Sequence, residues 1–241
     1  MFTFPFCQFS AAPPSGGAFV LPVTSGLILF LDASDSTTIT QSGGKVSKWA
    51  DKSGLANHAL QATGGNQPAF GSATIGGKST VTFDDSSSMM SLTTPVAPIG
   101  TTGFAVVSYP NLSGTGPILG QVAGSNTLYW GVYNTIPEYF LVDAGGLGVA
   151  VSGDTAATAY GYTSASSGSN PQTLYINGSA LSSGVDANTS LGATTFDTIG
   201  HRLSTEWLNG SAALIAIYDR VLTGTEINSV SAAIRSYWGT P

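Results

Sequence analysis

Charge is what this sequence has least of. Asp, Glu, Lys and Arg make up 8% of its 241 residues, against roughly 25% in ordinary globular domains. Ser, Thr, Gly and Asn stand where surface charges would. Hydroxyls and amides cost less to desolvate than ions, so such a surface packs readily against neighbouring subunits or neutral sugars. The 7 Lys and Arg, in a chain of net charge −6, are scattered over Lys45, Lys48, Lys52, Lys78, Arg202, Arg220 and Arg235. A protein that tracks phosphates needs a basic patch, so nucleic acid is not an expected partner.

Other absences narrow the field further. Cys7 is the only cysteine, which excludes an intrachain disulfide and a cysteine-based metal or redox motif. The mean hydropathy is +0.20, yet the longest apolar stretch, GLILFL at 26–31, has strand length and falls short of the ~20 residues of a spanning helix. Membrane insertion is not expected. A secretion signal needs a positive start and a continuous apolar run. Here no Lys or Arg precedes Lys45, Pro5 interrupts the apolar series and Gln8 follows at once.

What the chain does have is alternation. From residue 20 onward apolar residues recur with period two in short runs separated by turn clusters. Examples are LILFLDA (27–33), STVTFDD (79–85), GFAVVSY (103–109), TLYWGVY (127–133), EYFLVDA (138–144), QTLYING (172–178), FDTIGHR (196–202) and AALIAIYDR (212–220). Asn177-Gly178 is a type I′ hairpin signal, because both central positions need positive φ. The expected fold is all-β, a two-sheet antiparallel sandwich. One segment, 223–239, reads as a helix: Thr223 and Glu226 form a capping box, Ile227, Val230, Ile234 and Trp238 share a face, and Gly239 stops it.

The first 17 residues, MFTFPFCQFSAAPPSGG, read as an extended arm and Pro/Gly spacer ahead of a domain at 18–241. Phe2, Phe4 and Phe6 face one way in an extended strand, with Phe9 a little beyond. A free row of Phe is an aggregation hazard, and Pro5, Pro13 and Pro14 make a poor interior strand. The arm is therefore expected to dock onto a partner by strand addition.

Several stretches, in order, resemble the concanavalin A-like (laminin G-like) jelly-roll superfamily, of the kind carried by bacterial surface proteins and bacteriophage particles. They are GLILFLDASDSTTIT (26–40), VSKWADKSGLANHALQ (46–61), QPAF with GGKSTVTFDDSSSM (67–70, 76–89), LYINGSAL (174–181), IGHR with LNGSAALIAIYDRVLTGTEI (199–227) and AAIRSYWG (232–239). The resemblance implies a jelly-roll sandwich with its C-terminal helix against one edge. Because this fold hosts lectins, glycosidases and particle parts alike, activity must be argued from sites.

Three chemistries bear on that. Hydrolases on this fold mount paired carboxylates, but the three Glu are Glu138, Glu206 and Glu226; the last is taken by the capping box and the others lie far apart. No catalytic residue is assigned and a non-enzymatic protein is expected. Calcium has suitable ligand chemistry at Asp51 with Ser53 and Asn57, and at Asp84-Asp85, although Asp and Asn also serve as turn formers; no cofactor is required by the pattern. Sugar stacking has candidates in Trp130, Tyr133 and Tyr139, and in the loop residues His201, Arg202, Trp207 and Asn209. His58, Trp49 and Trp238 read as structural. The combined expectation is a virion accessory protein, a head decoration or a tail or fibre component. It would be made without a signal peptide, be oligomeric in its assembly, hold other virion proteins through Phe2, Phe4, Phe6 and Phe9, and present its jelly roll to host-surface glycans. The alternative is a carbohydrate-active enzyme or binding module.

Overall fold

The computed structural model describes residues 18–110, 115–122, 128–133, 157–165, 171–185, 195–203 and 205–241. The arm with Phe2, Phe4, Phe6 and Phe9, the run EYFLVDA with Tyr139, and Glu138 lie outside the described residues.

In chain order the first strands are β1 (Leu27–Asp32), β2 (Ile39–Ser42), β3 (Lys45–Trp49), β4 (Ala59–Leu60), β5 (Ala69–Ile75), β6 (Lys78–Asp84), β7 (Met90–Val96) and β8 (Thr101–Ser108). They are followed by β9 (Thr115–Gly120), β10 (Tyr129–Tyr133), β11 (Thr158–Ser164), β12 (Pro171–Ile176) and β13 (Ser179–Val185). The last are β14 (Phe196–Ile199), β15 (His201–Arg202), β16 (Glu206–Trp207), β17 (Asn209–Tyr218) and the helix α1 (Gly224–Trp238). All described strand pairs are antiparallel.

Hydrogen bonding links fifteen strands along the path β10-β9-β14-β7-β4-β3-β5-β6-β17-β8-β11-β12-β13, with β1 added to β17 and β2 to β3. This path curls until its far parts face each other. Trp130 on β10, at one end, packs edge-on against Tyr162 on β11 with ring centroids 5.0 Å apart. Tyr162 also meets Phe196 of β14 at 6.4 Å. The enclosed layer holds Leu29, Trp49, Phe83, Trp130, Tyr162 and Ile215, which makes the molecule a β-sandwich, as the period-two pattern implies. Each such large apolar side chain contributes roughly 1.5–3 kcal/mol on burial.

β17 shows why one stretch of sequence is almost wholly apolar. Its NGSAALIAIY run pairs with β8 on one side and with β6 and then β1 on the other. Ala212, Ile215 and Ile217 enter the sandwich interior, while Leu214, Ala216 and Tyr218 form a second core under α1. Both faces being covered, alternation gives way to a continuous apolar run.

Helix α1 supplies that cover. The Thr223 hydroxyl accepts from the Glu226 N–H, the Glu226 carboxylate accepts from the Thr223 N–H, and Gly239 ends the helix at φ 66°. Ile227, Val230, Ile234 and Trp238 are buried against Phe30, Ile75, Phe104 and Leu214. The expected hairpin also forms, with Asn177 at φ 50° and Gly178 at φ 81° between β12 and β13. No helix among the described residues is long and apolar enough to cross a membrane.

Candidate functional site

The segment from 196 to 210 gathers the polar and aromatic residues of interest at one rim of the sandwich. After β14, Gly200 turns at φ 78° with its Cα against the ring of Phe83, where a side chain would overlap that ring. The short hairpin β15–β16 then pairs His201 with Trp207 and Arg202 with Glu206. Both pairs are self-stabilising across strands, one aromatic and one of opposite charge. Trp207 stacks on the His201 ring at 3.8 Å and 26°, and Arg202 meets Glu206 at 2.7 Å. Leu203, at φ 54°, donates its N–H to the Gln121 carbonyl and ties the hairpin tip to the end of β9.

Below the hairpin the Arg202 guanidinium lies 4.1 Å from the centroid of the Tyr129 ring, an arrangement that favours the cation electrostatically. His201 is 4% exposed, and neither ring nitrogen has a hydrogen-bond partner among the described residues. Burial pushes its pKa down, so the imidazole is neutral at pH 7. Nearby Asp197 accepts from the Val122 N–H at 3.1 Å; burial nevertheless pushes its carboxyl up.

Beyond the hairpin Leu208 turns into the core and donates to the Gly200 carbonyl, leaving Trp207 and Asn209 on either side of it. Asn209 opens β17 opposite Asp84 and donates from its amide to Asp85 Oδ2 at 3.3 Å. Trp207 and Asn209 are half-buried and Asp84 and Asp85 are exposed. The fold thus links two sequence-predicted groups through Asn209, which is two residues from Trp207 and bonds Asp85, while His201 and Arg202, expected as ligand contacts, are buried at 4% and 6% exposure and lie beneath the surface. Glu206 and Tyr129 belong to the same cluster. The signal for Glu206 in HRLSTEW was its cross-strand spacing from Arg202.

Other candidates land elsewhere. Trp130 is corrected: it is fully buried, packed against Tyr162, and no sugar can stack on it. Neighbouring Tyr129, on the other face of the strand, is also buried, at 2% exposure. Tyr133 closes β10 opposite Thr115. Trp49 and Trp238 are fully buried.

Asp51, Asn57 and His58 form a loop staple. Asp51 Oδ1 accepts from the N–H groups of Phe30 and Ser53, and Oδ2 from the Ser53 hydroxyl and the Asn57 N–H, at 2.6–3.0 Å. His58 Nδ1 accepts from the Asp51 N–H at 3.0 Å. Asn57 Oδ1 in turn accepts from the Thr94 N–H at 2.8 Å. Asp84 closes a serine turn. Burial pushes its carboxyl up, but the N–H groups of Ser87, Ser88 and Ser86 and the Ser88 hydroxyl outweigh this and hold it well below the usual carboxylate range. These carboxylates act as turn acceptors, and no group of three or more His, Cys, Asp or Glu that could hold a metal occurs among the described residues.

No protein-family model matches the chain, and no curated protein matches it in sequence. Solved structures do. Domain 4 of AbnA, an extracellular arabinanase from Geobacillus stearothermophilus in complex with arabinotriose, matches with a TM-score of 0.60 at 14% identity, over 86% of this chain and 98% of that one. The binding domain of Paraclostridial Mosquitocidal Protein 1 matches at 0.60 and 13% identity, over 90% and 55%. Trypanosoma rangeli sialidase in complex with the inhibitor DANA matches at 0.58 and 17% identity, over 88% of this chain and 33% of the sialidase. The chain thus spans about a third of the length of the sialidases it matches. Identities this low show the shared fold alone. They do overturn one expectation: that this is a non-enzymatic protein is corrected, because the same fold over some nine-tenths of the chain recurs within enzymes. Enzymatic activity is not thereby established.

Proposed function

We propose that this chain is a glycan-recognising β-sandwich module and that its sugar platform is Trp207. The observation that carries the reading is the Trp207 ring, backed by His201 at 3.8 Å and flanked in sequence by Asn209, which is bonded to Asp85. A sugar ring presents C–H groups to an aromatic face and hydroxyls to amides and carboxylates at its edge. The Asn209 amide and the Asp85 side chain supply one free donor and several acceptors. The ion-poor surface favours neutral over acidic glycans. Support from outside comes from the fold shared with an arabinanase domain that binds arabinotriose.

The finer part of the proposal concerns where the module works. A surface rich in Ser, Thr, Gly and Asn and an opening Phe-rich segment of 17 residues fit a domain carried on a bacteriophage particle, with residues 1–17 as its docking arm. Binding is tested on a glycan array, then by titration of the best hit with the wild type and Trp207→Ala. Loss of binding in the variant is expected; unchanged binding overturns the platform. Placement on a particle is tested by deleting residues 1–17, which should abolish incorporation and leave the sandwich folded.

A further inference from the structure

The hairpin β15–β16 that carries Trp207 has two residues in each strand and forms a small sheet of its own, off the fifteen-stranded path. A two-stranded unit of this size keeps its shape only through what it packs on. Its backbone is fastened at three points. The Thr198 hydroxyl donates to the His201 carbonyl at 2.8 Å, the Leu203 N–H to the Gln121 carbonyl at 3.2 Å, and the Leu208 N–H to the Gly200 carbonyl at 2.9 Å. Its side chains close through the Arg202–Glu206 ion pair and the His201–Trp207 stack. His201 is the unusual member. It is buried with neither ring nitrogen hydrogen-bonded among the described residues, although a buried unpaired polar group costs about 1–3 kcal/mol. A phenyl ring would support the indole without that cost. What the imidazole adds to the stack is a proton site.

We propose that His201 is a pH-sensitive latch on the Trp207 platform: protonation drives the imidazole out from beneath the indole, opens the hairpin and releases bound sugar. The inference rests on the sugar-platform reading above and supplies its regulation. The charged and titratable groups on the elements around the ring are Arg202 and Glu206 on its own hairpin, Asp197 on β14, Tyr129 on β10, and Asp84 and Asp85 at the end of β6. Arg202, next in sequence, is a second positive charge. Glu206 is committed to Arg202 at 2.7 Å, Asp85 to Asn209 at 3.3 Å, Asp197 to the Val122 N–H at 3.1 Å and Asp84 to its serine turn. Strand β9, which packs on the hairpin, carries no ionisable side chain. An imidazolium under Trp207 therefore gains no ion pair among the described residues, whereas in water it is fully solvated. Burial already holds the ring below its ordinary pKa. A ring that titrates at ~6.5 once released multiplies the open population by up to about thirtyfold at pH 5.0. Local opening of this kind leaves the rest of the fold in place.

Acrylamide quenching of tryptophan fluorescence reads the latch without a ligand. Trp49, Trp130 and Trp238 are fully buried, and the difference from Trp207→Phe isolates the Trp207 signal. It is measured on the full chain at pH 7.5 and 5.0, beside far-ultraviolet circular dichroism and titration of the best array glycan. The expected result at pH 5.0 is a Trp207 quenching constant at least about twofold higher and a glycan affinity at least about fivefold lower, with the dichroism unchanged. His201→Phe should abolish both changes relative to its own values at pH 7.5. Asp197→Asn, which keeps an acceptor for the Val122 N–H, should retain both. Quenching that stays flat in the wild type overturns the latch whether or not a glycan binds. A rise that persists in His201→Phe, or vanishes in Asp197→Asn, overturns His201 as the trigger. Loss of the dichroism at pH 5.0 overturns local opening, and an affinity that holds while quenching rises overturns the release of sugar. The expected quenching with no glycan bound at pH 7.5 overturns the platform reading instead, and sugar release with it.

Discussion

The Trp207 indole lies flat on the His201 imidazole, 3.8 Å between centroids and 26° between planes, and this pair separates the surface chemistry of the rim from its interior. His201 is buried at 4% exposure while Trp207 keeps part of its ring in solvent. One ring is therefore a support and the other a surface.

Removing the surface ring should remove binding and little else. Trp207→Ala is expected to weaken the best glycan ligand at least roughly tenfold, about 1.4 kcal/mol, measured by isothermal titration. Asn209→Ala should weaken it less, since it deletes one polar handle and spares the platform. Equal affinities for wild type and Trp207→Ala would place sugar binding elsewhere.

The supporting ring sets a pH dependence. Burial lowers the His201 pKa in the fold, so between that value and the ordinary ~6.5 the unfolded chain binds the proton and the folded chain does not. The His201 contribution is present above about pH 6.5 and is lost as pH falls toward the lowered folded value. Urea midpoints are expected to fall from pH 7.5 to pH 5.5, and His201→Phe, which keeps a stacking ring, should flatten that slope. An unchanged slope in the variant would assign the dependence to other groups.

Asp51 should behave as a structural acceptor. It takes hydrogen bonds from Phe30, Ser53 and Asn57, four donors in all, and bonds to a charged acceptor are worth about 1.5–3 kcal/mol each, not fully additive. Asp51→Ala is expected to cost about 3 kcal/mol in denaturant unfolding, the upper end of what single substitutions do. Added calcium should leave the wild-type melting temperature unchanged. A calcium-dependent rise that Asp51→Ala abolishes would make this loop a metal site.

Packing between neighbouring strands of one sheet is tested at Gly103, which pairs with Tyr162 on one side and Ile217 on the other. A Cβ there would overlap Cε1 of Tyr162 and press on Ile217, and overpacking of this kind costs about 1–3 kcal/mol. Gly103→Ala should therefore lower the melting temperature by several degrees, at about 2–4 °C per kcal/mol for a domain of this size. Gly64→Ala, with no atom within 4 Å of the added carbon, is the control and should change it little.

Local rules carried far along this chain. The capping box at Thr223 and Glu226, the stop at Gly239 and the positive φ angles at Asn177-Gly178 all stand where residue types placed them, because each depends on atoms within four residues. The apolar alternation located several of the described strands, among them β1, β6, β8 and β17, but it did not show that β17 is covered on both faces. The candidate site was only partly legible. His201, Arg202, Trp207 and Asn209 were visible as a loop cluster, but their union with Asp85 depends on β6 pairing with β17 across more than a hundred residues.

Trp130 marks the limit of such reading. Alternation assigns it a face and cannot say what lies beyond that face. Only the curl of the sheet, which brings β11 over β10, covers it with Tyr162. The same holds for Asp51 and Asp84, whose oxygens have equal chemistry for a cation and for an N–H until the fold delivers the N–H groups. The sequence by itself determined the β class, the helix and its caps, and the shortage of charge, since these follow from periodicity, local hydrogen bonding and composition. The tertiary structure alone decided which aromatic ring meets solvent and which carboxylate is already bonded, because burial and partner choice come from strands that are neighbours in space and strangers in sequence.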